Sequence, residues 1–327
     1  MIVPSVFVRN GIVRSLLILL LASRVWADDV DSYWDFDHPQ ESEQRFRVQI
    51  GLAEESGDRA TRGELMTQLA RAVGMQGRLD GADEILTGLQ AELPTLPPVV
   101  SIRYMLERGR LIQTQGQTQR AWRWYHSALL DAQKNHLDFF AIDAMHMLGL
   151  TDTGRAALDW NLKALDLAEH SSAPHVDDWV GSLCNNIGWL YHDLKDYPKS
   201  LAYLRRAQAW HEAHGSDRPL LVARWSVAKL LRLTGEPEKA LPIQLDLERA
   251  WTKRGEEDGY VYQEIAENMM LLGQVQDAAR YYGKAYATLS RDPWIAKRDA
   301  ALLARLKQLS SLSADAGLTV QTTHTSK

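Results

Sequence analysis

Apolar residues recur along most of the chain at a spacing that predicts amphipathic α-helices arranged in pairs. In each pair, the first helix carries apolar residues at positions 0, 3, 4 and 7, and a turn residue follows at position 11. The second helix has a small residue at position 16, a large one at 20 and usually a small one at 23. Residues three or four apart lie on one helix face. The pattern therefore predicts helices that pack through one stripe and approach closely at the small residues.

This pattern occurs six times, which indicates an internal repeat. The fourth copy, Cys184 to Ala207, and the sixth copy, Tyr262 to Ala285, match it at every position. The third copy is weaker and has Asp152 at its turn. The six turn positions are 77, 116, 152, 195, 235 and 273. Repeats of this kind bury their apolar faces by stacking on their neighbours, so the sequence predicts an all-α solenoid.

The fourth and sixth copies resemble the tetratricopeptide repeat family. The resemblance is closest over Leu183–Tyr191 and Leu272–Ala285, and it covers about residues 60–290. The family's common repeat has about 34 residues, and the longer copies here are similar to the subclass seen in kinesin light chains and bacterial peptide-sensing regulators. The resemblance implies a right-handed α-solenoid of about six helix pairs. It also implies that the first helices line a concave groove that binds a peptide or another protein.

The two ends of the chain predict an export signal and helical caps. Residues 1–27 read as a signal peptide, because Arg9 and Arg14 precede the short apolar run Leu16–Ala22. The predicted division is residues 1–27 as signal peptide, 28–60 as linker and N-terminal capping helix, 61–291 as solenoid, 292–313 as C-terminal capping helix and 314–327 as disordered tail. The apolar run is shorter than the roughly 18 residues of a membrane span. A leader retained as an anchor is the alternative, and the mature chain has no predicted transmembrane segment.

Charge and cysteine content narrow the classes of function. The 327-residue chain has a formal net charge of -5, and cleavage after Ala27 removes three arginines and no acidic residue, which leaves about -8. Binding to nucleic acid needs a basic face, so the charge argues against nucleic acid as a partner. Cys184 is the one cysteine and cannot form an internal disulfide. We expect a buried thiol in a protein that packing stabilises.

Helical spacing also predicts which first-helix side chains face the groove. The predicted groove residues are Arg71, Arg103, Glu107, Arg110, Gln113, Asp143, His146, Asn185, Asn186, Trp189, His192, Lys229, Arg232, Glu264 and Glu267. The basic members of this set favour an acidic peptide or a carboxylate end. The alternative is an ordinary solvated face.

Within this set, Asn185, Asn186, Trp189 and His192 form the strongest local candidate. An amide side chain can both donate to and accept from a peptide backbone. A neighbouring tryptophan supplies a large apolar anchor with a polar handle. The alternative is that the same side chains hydrogen-bond the neighbouring repeat.

The sequence contains few signals of catalysis. It has no phosphate-binding loop, no dinucleotide glycine motif and no paired-cysteine metal motif. His211 and His214 are three residues apart, whereas the zinc-protease motif places its histidines four apart. We therefore predict no catalytic residue, no metal site and no cofactor.

The combined pattern predicts a non-enzymatic adaptor or scaffold in the cell envelope that binds another protein or a peptide. We expect the bacterial periplasm first and secretion second, because the leader precedes repeats that hold a single cysteine. The alternative is an exported ligand-sensing module that works with a separate membrane transducer.

Overall fold

The computed structural model describes residues 30–215 and 217–312, and its helices follow the apolar pattern. The described residues form α-helices and three short 3-10 helices, Val30–Tyr33, Leu93–Thr95 and Asp177–Trp179, with no β-strand among them. The predicted signal peptide and the predicted disordered tail lie outside the described residues. An all-α fold is therefore confirmed over the described part of the chain.

The chain divides into two compact units between Thr151 and Asp152. The described helices of the first unit are α1 (Pro39–Ser56), α2 (Arg59–Met75), α3 (Leu79–Gln90), α4 (Pro98–Thr114), α5 (Thr118–Lys134) and α6 (Asp138–Thr151). Those of the second unit are α7 (Gly154–His170), α8 (Val180–Asp193), α9 (Tyr197–Ala213), α10 (Asp217–Leu233), α11 (Pro237–Lys253), α12 (Gly259–Leu271), α13 (Val275–Leu289), α14 (Pro293–Arg298) and α15 (Ala300–Leu309). The two helices of the third repeat copy, α6 and α7, belong to different units.

In the first unit, each helix packs against its neighbours in the sequence. Helix α2 packs on α1, α3 and α4, and α5 packs between α4 and α6. Phe46, Leu65, Leu89 and Val100 are fully buried in the core that these helices enclose. Because Phe46 lies on α1, this helix covers the apolar side of the first repeat, as expected of an N-terminal cap.

The second unit repeats this arrangement and ends in two short helices. Helix α9 packs on α8, α11 packs against α10 and α12, and α13 packs on α12. Helix α15 packs on α13 and buries Leu306 completely. The sequence predicts one C-terminal capping helix over residues 292–313, but the structure has a break at Asp299. The Asp299 carboxylate accepts a hydrogen bond from the backbone N–H of Leu302 at 3.1 Å, which begins a new helix there.

The small residues at position 4 allow the close helix approach that the pattern predicts. A Cβ added to Gly188 on α8 would lie 2.6 Å from Cγ of Leu204 on α9. Gly109 on α4 faces the ring of Tyr125 on α5 in the same way. The absence of a side chain at these glycines therefore sets the distance between the paired helices.

Five of the six predicted turn residues have a positive φ, as the end of a helix often requires. They are Gly77, Gly116, Lys195, Gly235 and Gly273. In the third copy the positive φ is at Gly154, with a value of 56°, and not at the predicted Asp152. Glycine enters the left-handed region without a Cβ clash, so the nearby glycine takes the turn position.

Candidate ligand-binding face of the first helices

The predicted groove residues fall largely at two recurring positions of the first helices, counted from position 0 of each repeat copy. Position 2 holds Gln68, Glu107, Asp143, Asn186, Ser226 and Glu264. Position 5 holds Arg71, Arg110, His146, Trp189, Lys229 and Glu267. The first helices themselves are α2, α4 and α6 in the first unit and α8, α10 and α12 in the second.

Three side chains at position 5 each reach the position-2 side chain of the next first helix in the same unit. The contacts are Arg110 Nη2 to Asp143 at 2.5 Å, Trp189 Nε1 to Ser226 Oγ at 3.2 Å, and Lys229 Nζ to Glu264 at 3.8 Å. This regular contact ties neighbouring first helices together. Part of the first-helix face that the sequence predicts to bind a ligand therefore holds neighbouring repeats together instead.

In the first unit, two of the three predicted arginines, Arg103 and Arg110, lie in a network of ion pairs. Arg110 Nη1 donates to Glu107 at 2.6 Å. Arg103 donates to both carboxylate oxygens of Asp31 at 3.0 and 2.8 Å and to Glu64 at 3.1 Å. Arg103 and Arg110 already have carboxylate partners. This corrects the expectation that they present free positive charge to an acidic peptide.

Burial and charge set the protonation of this network. Burial raises the pKa of Asp143, but the charges of Arg110 and Arg71 outweigh it and hold that pKa below its ordinary value. Burial lowers the pKa of His146, and Arg110 and Arg71 lower it further, while Asp143 opposes them. The Asp143 carboxylate is therefore ionised and the His146 ring is neutral at neutral pH.

Arg71 differs from the other two arginines. Its carbon Cζ lies 5.5 Å from the ring centroid of Trp34 and 5.3 Å from that of Phe36, and these two rings stack 4.6 Å apart. The position-2 residue on the next first helix is Glu107, which instead accepts from Arg110 on its own helix. Among the described residues, no carboxylate is within ion-pairing distance of Arg71 and no group accepts a hydrogen bond from it.

Arg71 lines a cavity of about 590 Å³ in the first unit, bounded by α2, α3, α4 and one residue of α6. The polar lining residues are Arg71, Glu107, Arg110, Gln113 and Thr114. The larger apolar lining residues are Met75, Leu79, Leu86, Leu111 and Met147. Ligand sites typically have volumes of about 300–1,000 Å³ and combine apolar walls with a few polar groups. The cavity has both properties.

In the second unit, an aromatic row crosses α8, α10 and α12. The ring centroids of Trp189 and Trp225 are 6.2 Å apart, and those of Trp225 and Tyr260 are 6.5 Å apart. Lys229 Nζ lies 4.6 Å from the Trp225 centroid and 5.6 Å from the Trp189 centroid. The row is a contact surface between first helices, and its outer member, Tyr260, is exposed.

The amide cluster on α8 is tied to the next first helix. The Ser226 hydroxyl donates to Asn185 Oδ1 at 3.0 Å and accepts from Trp189 Nε1 at 3.2 Å. His192 packs edge-on against Trp189 with 5.4 Å between ring centroids, and Asn186 is half-buried on the same helix. Both Asn185 and Trp189 therefore hydrogen-bond the neighbouring repeat through Ser226, which is the alternative to binding a peptide backbone.

The remaining predicted residues also have partners inside the second unit. Arg232 donates to both oxygens of the buried Glu264 at 2.7 and 3.1 Å. Glu267 accepts from Arg305 on α15 at 2.6 Å. Helical spacing predicts which side chains lie on the first-helix face, but it does not predict their ion-pair partners. Ser226 could have been found from the repeat, because it occupies position 2 as Glu264 does.

The described residues hold neither a group of metal ligands nor a membrane-spanning helix. No group of three or more His, Cys, Asp or Glu side chains in this part of the chain could hold a metal ion. None of the helices that the structure describes is both long and apolar enough to cross a membrane.

No protein-family model matches this chain, and no curated protein matches it. Solved structures match its fold. The signal-transduction ATPase with a tetratricopeptide repeat sensor from Pyrococcus horikoshii has a TM-score of 0.64 and 13% identity over 91% of this chain, which spans 45% of that ATPase.

Two further structures hold peptides. NprR in complex with its cognate peptide NprX has a TM-score of 0.53 and 14% identity, covering 86% of this chain and 83% of NprR. The Rap conjugation gene regulator of the plasmid pLS20 in complex with the Phr* peptide has a TM-score of 0.50 and 13% identity, covering 78% of this chain and 81% of the regulator. The fold is thus a tetratricopeptide-type α-solenoid, as the repeat pattern predicts.

Proposed function

We propose that this chain is a non-enzymatic module that binds a peptide, or an extended segment of another protein, on the first-helix face of its first unit. The observation that carries the proposal is the cavity of about 590 Å³ beside Arg71. Its apolar walls offer room for a side chain, and its polar groups offer hydrogen bonds that fix the orientation of a ligand.

The fold comparison supports a peptide as the class of ligand. NprR holds NprX and the Rap regulator holds Phr* in structures that share this fold. At 13–14% identity the likeness concerns the fold alone, so the binding residues are argued from the cavity of this chain. The net charge of -5 favours a protein or peptide over nucleic acid as the partner.

We also propose that the mature chain works in the cell envelope. The bacterial periplasm is the first candidate location, and secretion is the second. The pattern of residues 1–27 supports this location, because a basic start, a short apolar run and a small residue at the cut are typical of signal peptides. Residues 1–27 fused to a reporter that is active only outside the cytoplasm test it. Reporter activity is expected, and an inactive fusion retained in the cytoplasm contradicts the location.

A second candidate is an exported ligand-sensing module that signals through a separate membrane transducer. The cavity favours it because its lining comes from α2, α3, α4 and one residue of α6, so an occupant contacts helices of three repeat copies at once. A sensor changes the packing of these helices when its ligand binds. Ligand-dependent binding to a transducer fits a sensor, whereas partner binding without any ligand fits an adaptor.

Selection from a peptide display library tests the binding function. The mature chain, residues 28–327, is compared with a Thr114→Trp and a Gln115→Trp variant. Thr114 is exposed and lines the cavity, so a tryptophan there should fill it. Gln115 is the next residue, is also exposed and does not line the cavity. It is therefore a matched control.

We expect the wild type and Gln115→Trp to enrich the same peptides and Thr114→Trp to lose them. Circular dichroism checks that all three chains keep their helix content. Equal enrichment by all three chains, or no enrichment by the wild type, contradicts the proposed site.

A further inference from the structure

Helix α1 carries an exposed stripe on the side opposite its packed face. Within the described residues, α1 packs mainly against α2 and the short 3-10 helix Val30–Tyr33, and it buries Phe46 and Ala53. Residues spaced three and four apart share the opposite side of the helix. We call this surface the α1 stripe, and its residues are Glu41, Gln44, Arg45, Val48, Gly51, Leu52 and Glu55.

The α1 stripe lacks the polar character expected of the outer face of a solenoid cap. Such a face is normally polar, because no further repeat stacks on it. The stripe instead has two apolar side chains near its middle, Val48 with 62% and Leu52 with 41% of its surface exposed. On α15, the cap of the second unit, every exposed residue is alanine, arginine, lysine or glutamine. The α1 stripe is therefore the cap surface that favours a partner.

Gly51 lies in the middle of this stripe, where packing inside the chain does not require a glycine. Glycine inside a helix is destabilising relative to alanine. A Cβ added at Gly51 would meet no other part of the chain within 4 Å. At Gly109 and Gly188, by contrast, an added Cβ would clash with the paired helix. Close approach of a helix from outside the chain would give Gly51 the same role.

The order of side chains along the stripe matches a second copy of α1 in the antiparallel direction. Arg45 and Glu55 lie five residues before and after Ile50. Val48 and Leu52 lie two residues before and after it. A twofold axis near Ile50 therefore brings each Arg45 beside the partner's Glu55 and each Val48 beside the partner's Leu52.

Charge selects this direction over a parallel one. A parallel pair would place each Arg45 beside the partner's Arg45 and each Glu55 beside the partner's Glu55, and like charges at close range are unfavourable. Glu55 is exposed and has no ion-pair or hydrogen-bond partner among the described residues. Arg45 donates from Nη2 to Glu41 at 3.1 Å, which leaves other N–H donors of its guanidinium for a second carboxylate.

We propose that the α1 stripe is the interface of a homodimer, in which α1 packs antiparallel against α1 of a second copy of this chain. The contact covers Val48 and Leu52, and Gly51 allows the two helices to approach closely. No residue of the stripe lines the cavity of the first unit, so this inference does not depend on the proposed ligand binding. A single pair of helices buries less than the roughly 1,200–2,000 Å² of a standard interface, so the dimer is weak and reversible.

Sedimentation velocity of the mature chain, residues 28–327, tests the dimer at protein concentrations from about 1 to about 300 µM, the range that suits a weak interface. The variants are Leu52→Glu, Arg45→Glu, Glu55→Arg and the double variant Arg45→Glu with Glu55→Arg. The control is Val222→Glu, which places the same charge at an exposed apolar residue of α10. Circular dichroism checks that each chain keeps its helix content.

We expect the wild type and Val222→Glu to shift from monomer to dimer as the concentration rises, and Leu52→Glu to remain a monomer. Each single charge reversal should weaken the dimer by about tenfold, because it places like charges across the interface. The double variant should restore the dimer, because it exchanges the two ends of the same ion pair.

A wild type that stays monomeric over the whole range overturns the inference. A dimer that persists in Leu52→Glu overturns it as well, because the contact then lies elsewhere. A double variant no stronger than the two single variants contradicts the antiparallel pairing of Arg45 with Glu55.

Discussion

Arg110 on α4 donates through Nη2 to both carboxylate oxygens of Asp143 on α6, at 2.5 and 2.6 Å. Asp143 is 7% exposed, so the contact is largely shielded from water. Each charge depends on the other, because an isolated buried charge is strongly unfavourable. The pair joins two first helices of the first unit next to the proposed binding cavity.

Replacing Asp143 should destabilise the protein more than replacing an exposed acid. Asp143→Ala leaves Arg110 with Glu107 as its remaining carboxylate, and we expect a loss of about 3 kcal/mol in the free energy of unfolding. Urea denaturation followed by circular dichroism measures it. The control is Asp131→Ala, which changes an exposed residue of α5. Equal stability of the two variants contradicts the role assigned to the pair.

The glycine at position 4 of the fourth copy should not tolerate a side chain. In Gly188→Ala, the new Cβ would lie 2.6 Å from Leu204 Cγ and 3.3 Å from its backbone nitrogen. Overpacking of this kind costs about 1–3 kcal/mol, measured by thermal or urea unfolding. Gly283→Ala on α13 is the control, because its Cβ would meet only Ser310 Cβ at 3.7 Å. An unaffected Gly188→Ala variant would show that α8 and α9 are not held at close distance.

His146 should make the protein less stable in mild acid. Burial lowers the pKa of His146 in the folded state below the ordinary histidine value of about 6.5. As the pH falls through about 6.5, the unfolded chain takes up a proton that the folded chain does not, so the free energy of unfolding decreases. The decrease ends below the folded pKa, where both states are protonated.

His146→Gln should therefore lose less stability than the wild type between neutral pH and mild acid. The comparison is a series of urea unfolding curves across that range. His136→Asn changes an exposed histidine at the turn after α5 and serves as the control. An identical pH dependence in wild type and His146→Gln contradicts the assignment to His146.

The Cys184 thiol should not react in the folded protein. It is fully buried on α8, and burial raises its pKa to about 12. A thiol reacts through its thiolate and needs access to the reagent, so iodoacetamide at about pH 8 should modify Cys184 only after unfolding. Mass spectrometry of native and urea-treated protein measures the modified fraction. Rapid modification of native protein contradicts the buried position.

The repeat could be predicted from the sequence because its determinants are local. Apolar spacing fixes which residues of a helix share a face, and glycine marks positions that need a left-handed turn or a close helix contact. Gly188 lies at a close helix contact, and Gly273 has the positive φ of a left-handed turn. The exception is the third turn, where glycine at 154 rather than Asp152 has the positive φ.

The candidate site could be predicted only in part because its partners come from distant segments. Arg103 pairs with Asp31, which lies 72 residues earlier in a 3-10 helix. The rings beside Arg71 come from the loop before α1, at Trp34 and Phe36. Helical periodicity places Arg71 and Arg103 on one face, but it does not show which arginine has a carboxylate partner.

Methionine methyl resonances offer the most direct test of the proposed cavity. Met75 and Met147 line it, whereas Met270 lies on α12 of the second unit. The mature chain with labelled methionine methyl groups is titrated with the tightest peptide from the library, and assignments come from single Met→Leu variants. The account predicts saturable shifts of Met75 and Met147 with Met270 unchanged. Shifts at Met270 with Met75 and Met147 unchanged would contradict it.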